Sequence, residues 1–145
     1  MSEKTLLRVA VTREQRIIFD RNFPLGTPVT IGRDAECTVV LRGHVPETHA
    51  LFEYRNGRYL LNIIGVMEVR VKRDGAVMDT AALELEHLLL TRTIERTTVR
   101  TFSLRLVDRG VVYLDGYRVL FEFVTPIARS RPSLLQRIFP RFKKQ

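Results

Sequence analysis

Ile31-Gly32-Arg33-Asp34-Ala35-Glu36-Cys37-Thr38-Val39-Val40-Leu41, followed after a polar turn by Thr48-His49-Ala50-Leu51-Phe52, is the stretch that decides the fold. A short β-branched run, Pro28 to Ile31, feeds into Gly32-Arg33. A second such run, Thr38 to Leu41, follows within a few residues. Both are too short for amphipathic helices and have the composition of sandwich strands. The next loop carries Arg42, His44, Pro46, Glu47 and Thr48, and His49-Ala50 opens another strand.

Working outward, alternation with period two dominates. Leu7, Val9 and Val11 alternate with Arg8, Ala10 and Thr12, which predicts a first strand, and Arg16 to Phe19 is its expected partner. Asn22-Phe23-Pro24-Leu25-Gly26 reads as a turn or loop, because Pro removes a donor and Gly accepts unusual dihedrals. Asn56-Gly57 between two strand-like runs predicts a two-residue type I′ hairpin, whose turn positions both need positive φ. Val69 and Val71 alternate with Arg70 and Lys72 up to Asp74-Gly75. Phe102, Leu104 and Leu106 alternate with Ser103 and Arg105 up to Asp108-Arg109-Gly110. Val111 to Leu114, Asp115-Gly116 and Tyr117 to Phe123 form a closing hairpin. Residues 80–98 read two ways. Ala81 to Leu90 has helical propensity, while Leu83, Leu85 and Leu89 fit a strand face interrupted by His87. Thr91 to Thr101 holds five threonines, against a long helix, so two strands are favoured here. The sum is an all-β sandwich of about 10–12 antiparallel strands.

Composition bounds the function. A chain of 145 residues is expected to form one domain and can bury roughly two thirds of its unfolded surface. Hydrophobic content of 45% with 28% charged residues fits a soluble globular protein. No run of 18 apolar residues occurs, and Met1-Ser2-Glu3-Lys4 lacks the character of a secretory leader. The single Cys37 excludes an internal disulfide and reads as core packing. The net charge of +8 is unevenly placed: Arg129, Arg131, Arg137, Arg141, Lys143 and Lys144 supply six positive charges beyond residue 125, with no acid among them. Residues 1–125 are therefore nearly balanced, which argues against a basic nucleic-acid groove on the folded body.

Catalytic and metal chemistry find little support. His44, His49 and His87 have no zinc spacing with Cys37 or with nearby carboxylates, and no Gly-rich phosphate loop occurs. Neither a catalytic residue nor a metal or cofactor is expected.

Three stretches together resemble the forkhead-associated (FHA) domain, a β-sandwich that binds phosphothreonine peptides with its loops. They are Val29 to Leu41, Thr48 to Phe52 with its hairpin to Leu61, and Leu106 to Phe121. The likeness covers residues 5 to 124, so residues 1–125 are read as one FHA-like domain; residues 80–103 look like an insertion. The resemblance implies that Arg33 takes the position that contacts phosphate. It also implies that Gly32 and His49 are structural, His49 by tying loops together. Two departures stand out. The family's Ser-Arg before the His is replaced by Pro46-Glu47, which removes a hydroxyl and adds a like charge to any phosphate. The segment Ile64 to Val69 lacks the family's Asn. Arg33 is read as structural here, paired with Glu47, and Thr48, Arg42 and Arg70 are the residues able to rebuild an anion site.

The resemblance thus implies a non-catalytic protein–protein interaction module, FHA-like but largely phospho-independent. Its partner surface is the loop apex with Arg33, Arg42, His44, Pro46, Glu47 and an exposed Met67. The alternative is a phosphothreonine-peptide reader using Arg33. The chain is also similar to degenerate FHA-like cytoplasmic domains of bacterial membrane machines for secretion or motility. Residues 126–145, basic and Pro-containing, read as a juxtamembrane tail able to meet anionic lipid, with a short helix from Ser133 to Phe139. The expected location is cytoplasmic, at the inner face of a membrane.

Overall fold

The structure, a computed structural model, describes residues 4–125. The alternating runs form twelve strands and one short helix: β1 (Leu6–Arg13), β2 (Arg16–Pro24), β3 (Val29–Gly32), β4 (Val39–Val40), β5 (His49–Arg55), β6 (Arg58–Ile63), β7 (Glu68–Arg73), β8 (Ala76–Asp79), α1 (Thr80–Leu85), β9 (Leu89–Ile94), β10 (Thr97–Ser103), β11 (Arg109–Leu114) and β12 (Tyr117–Val124). They assemble into two six-stranded sheets. The first runs β2-β1-β12-β11-β7-β8 and the second β4-β3-β5-β6-β10-β9. The β-sandwich expected from the sequence is therefore the fold. Gly32-Arg33 leaves β3, His49 opens β5, and the β11–β12 hairpin lies in the middle of the first sheet. All pairs are antiparallel except β3 with β4, which run parallel from Ile31 opposite Val39.

Period-two patterning explains the core. Leu7, Val9 and Val11 from β1, Val69 and Val71 from β7, and Val119 and Phe121 from β12 face inward from the first sheet. Val29, Ile31, Phe52, Leu61, Ile63 and Phe102 face them from the second. The Phe52 and Phe121 rings meet edge to face, centroids 5.3 Å apart, which joins the two sheets at the centre. β1 lies between β2 and β12; it pairs with β12 in unbroken register from Leu6 opposite Val124 to Arg13 opposite Tyr117, and with β2 through a bulge at Val11/Thr12.

Three local expectations are corrected. Asn22 and Phe23 are not in a turn: β2 continues to Pro24, with Phe23 opposite Leu7 and buried. An edge strand tolerates Pro there because no ladder donor is needed on its open side. The 80–98 region is helix then strand. Asp79 caps α1 by accepting from the Ala82 amide at 2.9 Å, and α1 buries Leu83 in the core. Leu106 does not extend a strand: β10 stops at Ser103, Leu106 is exposed, and Arg109-Gly110 begins β11. The cause is Asp108. Its buried carboxylate accepts from the Arg105 amide at 2.7 Å, which bends the chain. It also takes a bidentate pair from Arg73 at 2.8 and 2.7 Å. Those bonds hold the Arg73 guanidinium pKa above its ordinary value. The same guanidinium donates to the Ser103 carbonyl and lies 4.7 Å from the Phe102 ring centroid.

Candidate functional site

The apex of the sandwich is formed by loops 33–38 and 41–48, the 64–67 connection and the Asp115-Gly116 turn. Its geometry begins at Gly32. β3 ends there so close to the later loop that an added Cβ would lie 2.2 Å from the Glu47 carbonyl oxygen. That approach lets the loops join by backbone: the Arg33 amide donates to the Pro46 carbonyl at 3.1 Å and the Asp34 amide to that of Glu47 at 3.0 Å. The Leu41 amide returns to the Gly32 carbonyl at 2.7 Å. Thr30 and Thr38 lace the base of the 33–38 loop through mutual amide–hydroxyl bonds of 3.1 and 2.9 Å. Cys37 is buried beneath, its Sγ 3.6 Å from the Glu47 carbonyl oxygen.

The 41–48 loop is also fastened to the first sheet. The Tyr117 hydroxyl accepts from the Arg42 amide at 3.0 Å and donates to the Arg42 carbonyl at 3.1 Å. The Arg13 guanidinium sits 4.4 Å from the Tyr117 ring centroid. Asp115 Oδ2 accepts from the His44 amide at 2.9 Å, and the exposed His44 ring stands 4.0 Å from Asp115 Oδ1. These clamps were not found in the sequence; Asp115 reads there only as a turn former.

The remaining candidates are placed as follows. Arg33, Arg42, His44, Glu47 and Thr48 are exposed and Pro46 is half-buried. Arg33 and Glu47 do not form the expected side-chain pair; their segments are joined through the backbone. The Arg33 guanidinium has no hydrogen-bond or ion-pair partner among the described residues. Met67 is corrected outright: it is 3% exposed and belongs to the core, because its amide closes a turn onto the Ile64 carbonyl that points the side chain inward. Arg70 does not join the apex. With Val69 and Val71 facing the core, its side chain takes the outer face of the first sheet, 5.9 Å from the Tyr113 ring centroid. The tail residues Arg129, Arg131, Arg137, Arg141, Lys143 and Lys144 lie outside the described residues.

His49 connects strands. Its Nε2 lies 2.8 Å from the Asn62 carbonyl oxygen, so Nε2 carries the proton and donates. Beside it a polar row crosses the second sheet. Asn62 donates to the Ala50 carbonyl and to Glu53, and Arg92 donates to Glu53, Asn62 and Thr101. No buried side-chain polar atom among the described residues lacks a partner. Burial pushes the His49 imidazole below its ordinary value, and the bond to Asn62 offsets this only in part.

The apex carries charge of both signs. Arg33 and Arg42 stand against four carboxylates, Asp34, Glu36, Glu47 and Asp115. The amides of Arg33, Asp34, Glu36, Cys37, Thr38, Leu41, Arg42, His44, Val45 and Met67 all donate within the protein. A near-dianionic group is gripped by several donors at once, and these ten amides are already engaged. Among the described residues no group of three or more His, Cys, Asp or Glu side chains could hold a metal ion.

No family model matches the chain, and no curated protein matches it. Among solved structures it is similar to the NMR structure of the yeast Dun1 FHA domain in complex with a doubly phosphorylated (pT) peptide derived from Rad53 SCD1. The identity is 14%, the match covers 92% of this chain and 88% of that one, and the TM-score is 0.36. At that distance no residue role is carried across.

Two outcomes follow from this geometry. Gly32→Ala will lose about 1–3 kcal/mol in urea unfolding, through the forced separation of the loops. Arg33→Ala will stay within about 0.5 kcal/mol, being exposed and unpartnered; equal losses would contradict the backbone account. The second concerns pH. The fold favours neutral His49, so its contribution is complete above the ordinary value of 6.5. As pH falls below that value the unfolded chain takes up the proton first, and stability drops until the lower folded value is passed. His49→Gln, which keeps a donor for Asn62, will flatten the melting-temperature profile between about pH 7 and about pH 5 relative to the native chain.

Proposed function

We propose that the chain is a non-catalytic protein–protein interaction module that presents its loop apex to a partner without requiring phosphate. The single observation that carries this reading is the apical donor inventory: ten backbone amides donate inward, and carboxylates outnumber arginines. Loops held rigidly on a sandwich favour recognition of a folded or peptide surface. Exposed Arg33, Arg42, Glu47 and Thr48 offer both signs of charge and a hydroxyl, which suits a polar, charge-matched partner rather than a uniform anion. In this reading the module is a scaffold in a membrane-associated assembly, such as a secretion or motility machine, on the cytoplasmic side. The basic tail adds affinity for anionic lipid at about 1 kcal/mol per base near the surface.

A second reading is kept because the Arg33 guanidinium is exposed and unpartnered: a phosphothreonine-peptide reader in Ser/Thr kinase signalling. Titration of phosphothreonine peptides and their unphosphorylated counterparts separates the two. The expected result is no gain from the phosphate and no change with Arg33→Ala. Micromolar binding that needs the phosphate and is lost in Arg33→Ala would refute the first reading. The membrane placement is tested by co-sedimentation of the full chain with vesicles. Binding is expected to anionic vesicles and not to neutral ones, and equal binding to both would count against it.

A further inference from the structure

Each sheet has two open edges, and three of the four are blunted. β4 is two residues long. β8 is four residues long and runs directly into α1. β2 pairs with β1 through a bulge at Val11/Thr12, ends in Pro24 and carries Arg16 and Arg21. Such devices keep an edge from pairing with another chain. β9 has none of them. It contains no Pro, it pairs with β10 without a bulge, and its one charge, Arg92, is drawn back onto its own sheet by Glu53, Asn62 and Thr101. Its flanks are apolar: Leu90 is 64% exposed and Ile94 40%.

The hairpin fixes which backbone groups of this edge are open. Glu95 and Arg96 both have positive φ, 48° and 68°, as in a two-residue type I′ turn. Such a turn makes its flanking residues, Ile94 and Thr97, a hydrogen-bonded pair, and the alternation continues through Arg92 with Val99 and Leu90 with Thr101. The amides and carbonyls of Leu89, Thr91 and Thr93 therefore point away from β10, where no strand pairs with them among the described residues.

We propose that β9 pairs antiparallel with the β9 of a second copy, about a two-fold axis through Thr91, joining the two second sheets into one of twelve strands. The occupant is a second copy because the edge complements itself in this register. Thr91 faces Thr91 and Leu89 faces Thr93, all with outward donors and acceptors. Leu90 faces Arg92 and lies along its aliphatic stem. Beyond the strand, the hairpin tip of one copy comes alongside the segment that enters β9 in the other. Ile94 then lies by Leu88, Glu95 by His87 and Arg96 by Glu86. Glu86, His87, Glu95 and Arg96 have no side-chain partner within the chain among the described residues. A register centred on Arg92 would instead set two guanidiniums face to face across the axis.

Sedimentation velocity over a concentration series tests this. The expected result is a reversible monomer–dimer equilibrium, weakened about tenfold or more by Thr91→Pro, which removes a donor on each side of the axis. The Thr91 amide points outward, so that substitution costs no ladder bond within the copy. Thr91→Lys, which sets like charges on the axis, serves as the second variant, with circular dichroism confirming the fold of both. Thr91→Cys will form a disulfide-linked dimer on oxidation, whereas Thr93→Cys, facing Leu89, will not. A chain that stays monomeric at all concentrations overturns the proposal, even if a foreign strand uses the edge. A dimer that neither Thr91→Pro nor Thr91→Lys weakens overturns it too.

Discussion

The close backbone approach of Gly32 to Glu47 is the constraint on which the apex depends. A side chain at position 32 would occupy the space of a carbonyl oxygen, so the amides of Arg33 and Asp34 could no longer reach the facing loop. With that contact made, the remaining apical bonds fall into place. Leu41 returns to Gly32, Cys37 packs below, and Tyr117 and Asp115 hold the loop from the other sheet. The shape of the apex is thus written in main-chain atoms. Arg33, Arg42, His44, Glu47 and Thr48 project from it into solvent.

That division of labour separates scaffold from recognition. Backbone amides are the usual reserve from which proteins assemble anion sites, and here they are committed to joining loops. What projects is a small set of side chains of mixed sign. The two buried polar systems, Arg73 with Asp108 and the row from His49 to Arg92, belong to the scaffold as well. No buried side-chain polar atom in either lacks a partner, the condition under which buried polarity fixes one arrangement rather than weakening the fold.

Much of the fold was legible because the inward and outward faces of strands differ in chemistry. β1, β7 and β12 could be read from their alternation, and three of the five two-residue turns contain Gly after Asn or Asp. The other two, Glu14-Gln15 and Glu95-Arg96, also adopt positive φ at both positions. Nothing in their composition announces it; the paired strands impose it. Leu106 misled because alternation continues past the point where Asp108 turns the chain. The six-residue α1 was legible as helical propensity but lost to the strand reading, because so short a helix rests on one cap and one buried leucine. At the apex, Arg33 and Gly32 were visible as a motif. The burial of Met67 was not, since it follows from a turn that only the packed loop determines. Tyr117 could be read as a strand residue of the closing hairpin; that its hydroxyl serves a loop 75 residues away is long-range information.

The central place of β1 beside β12 has a consequence for how the module can be mounted. Leu6 and Val124 are neighbours at one pole of the sandwich, while the apical loops and the Asp115-Gly116 turn occupy the opposite pole. Any tether, whether joined through the first strand or the last, pulls from the same spot. The whole depth of the sandwich would then separate the point of attachment from the apical loops.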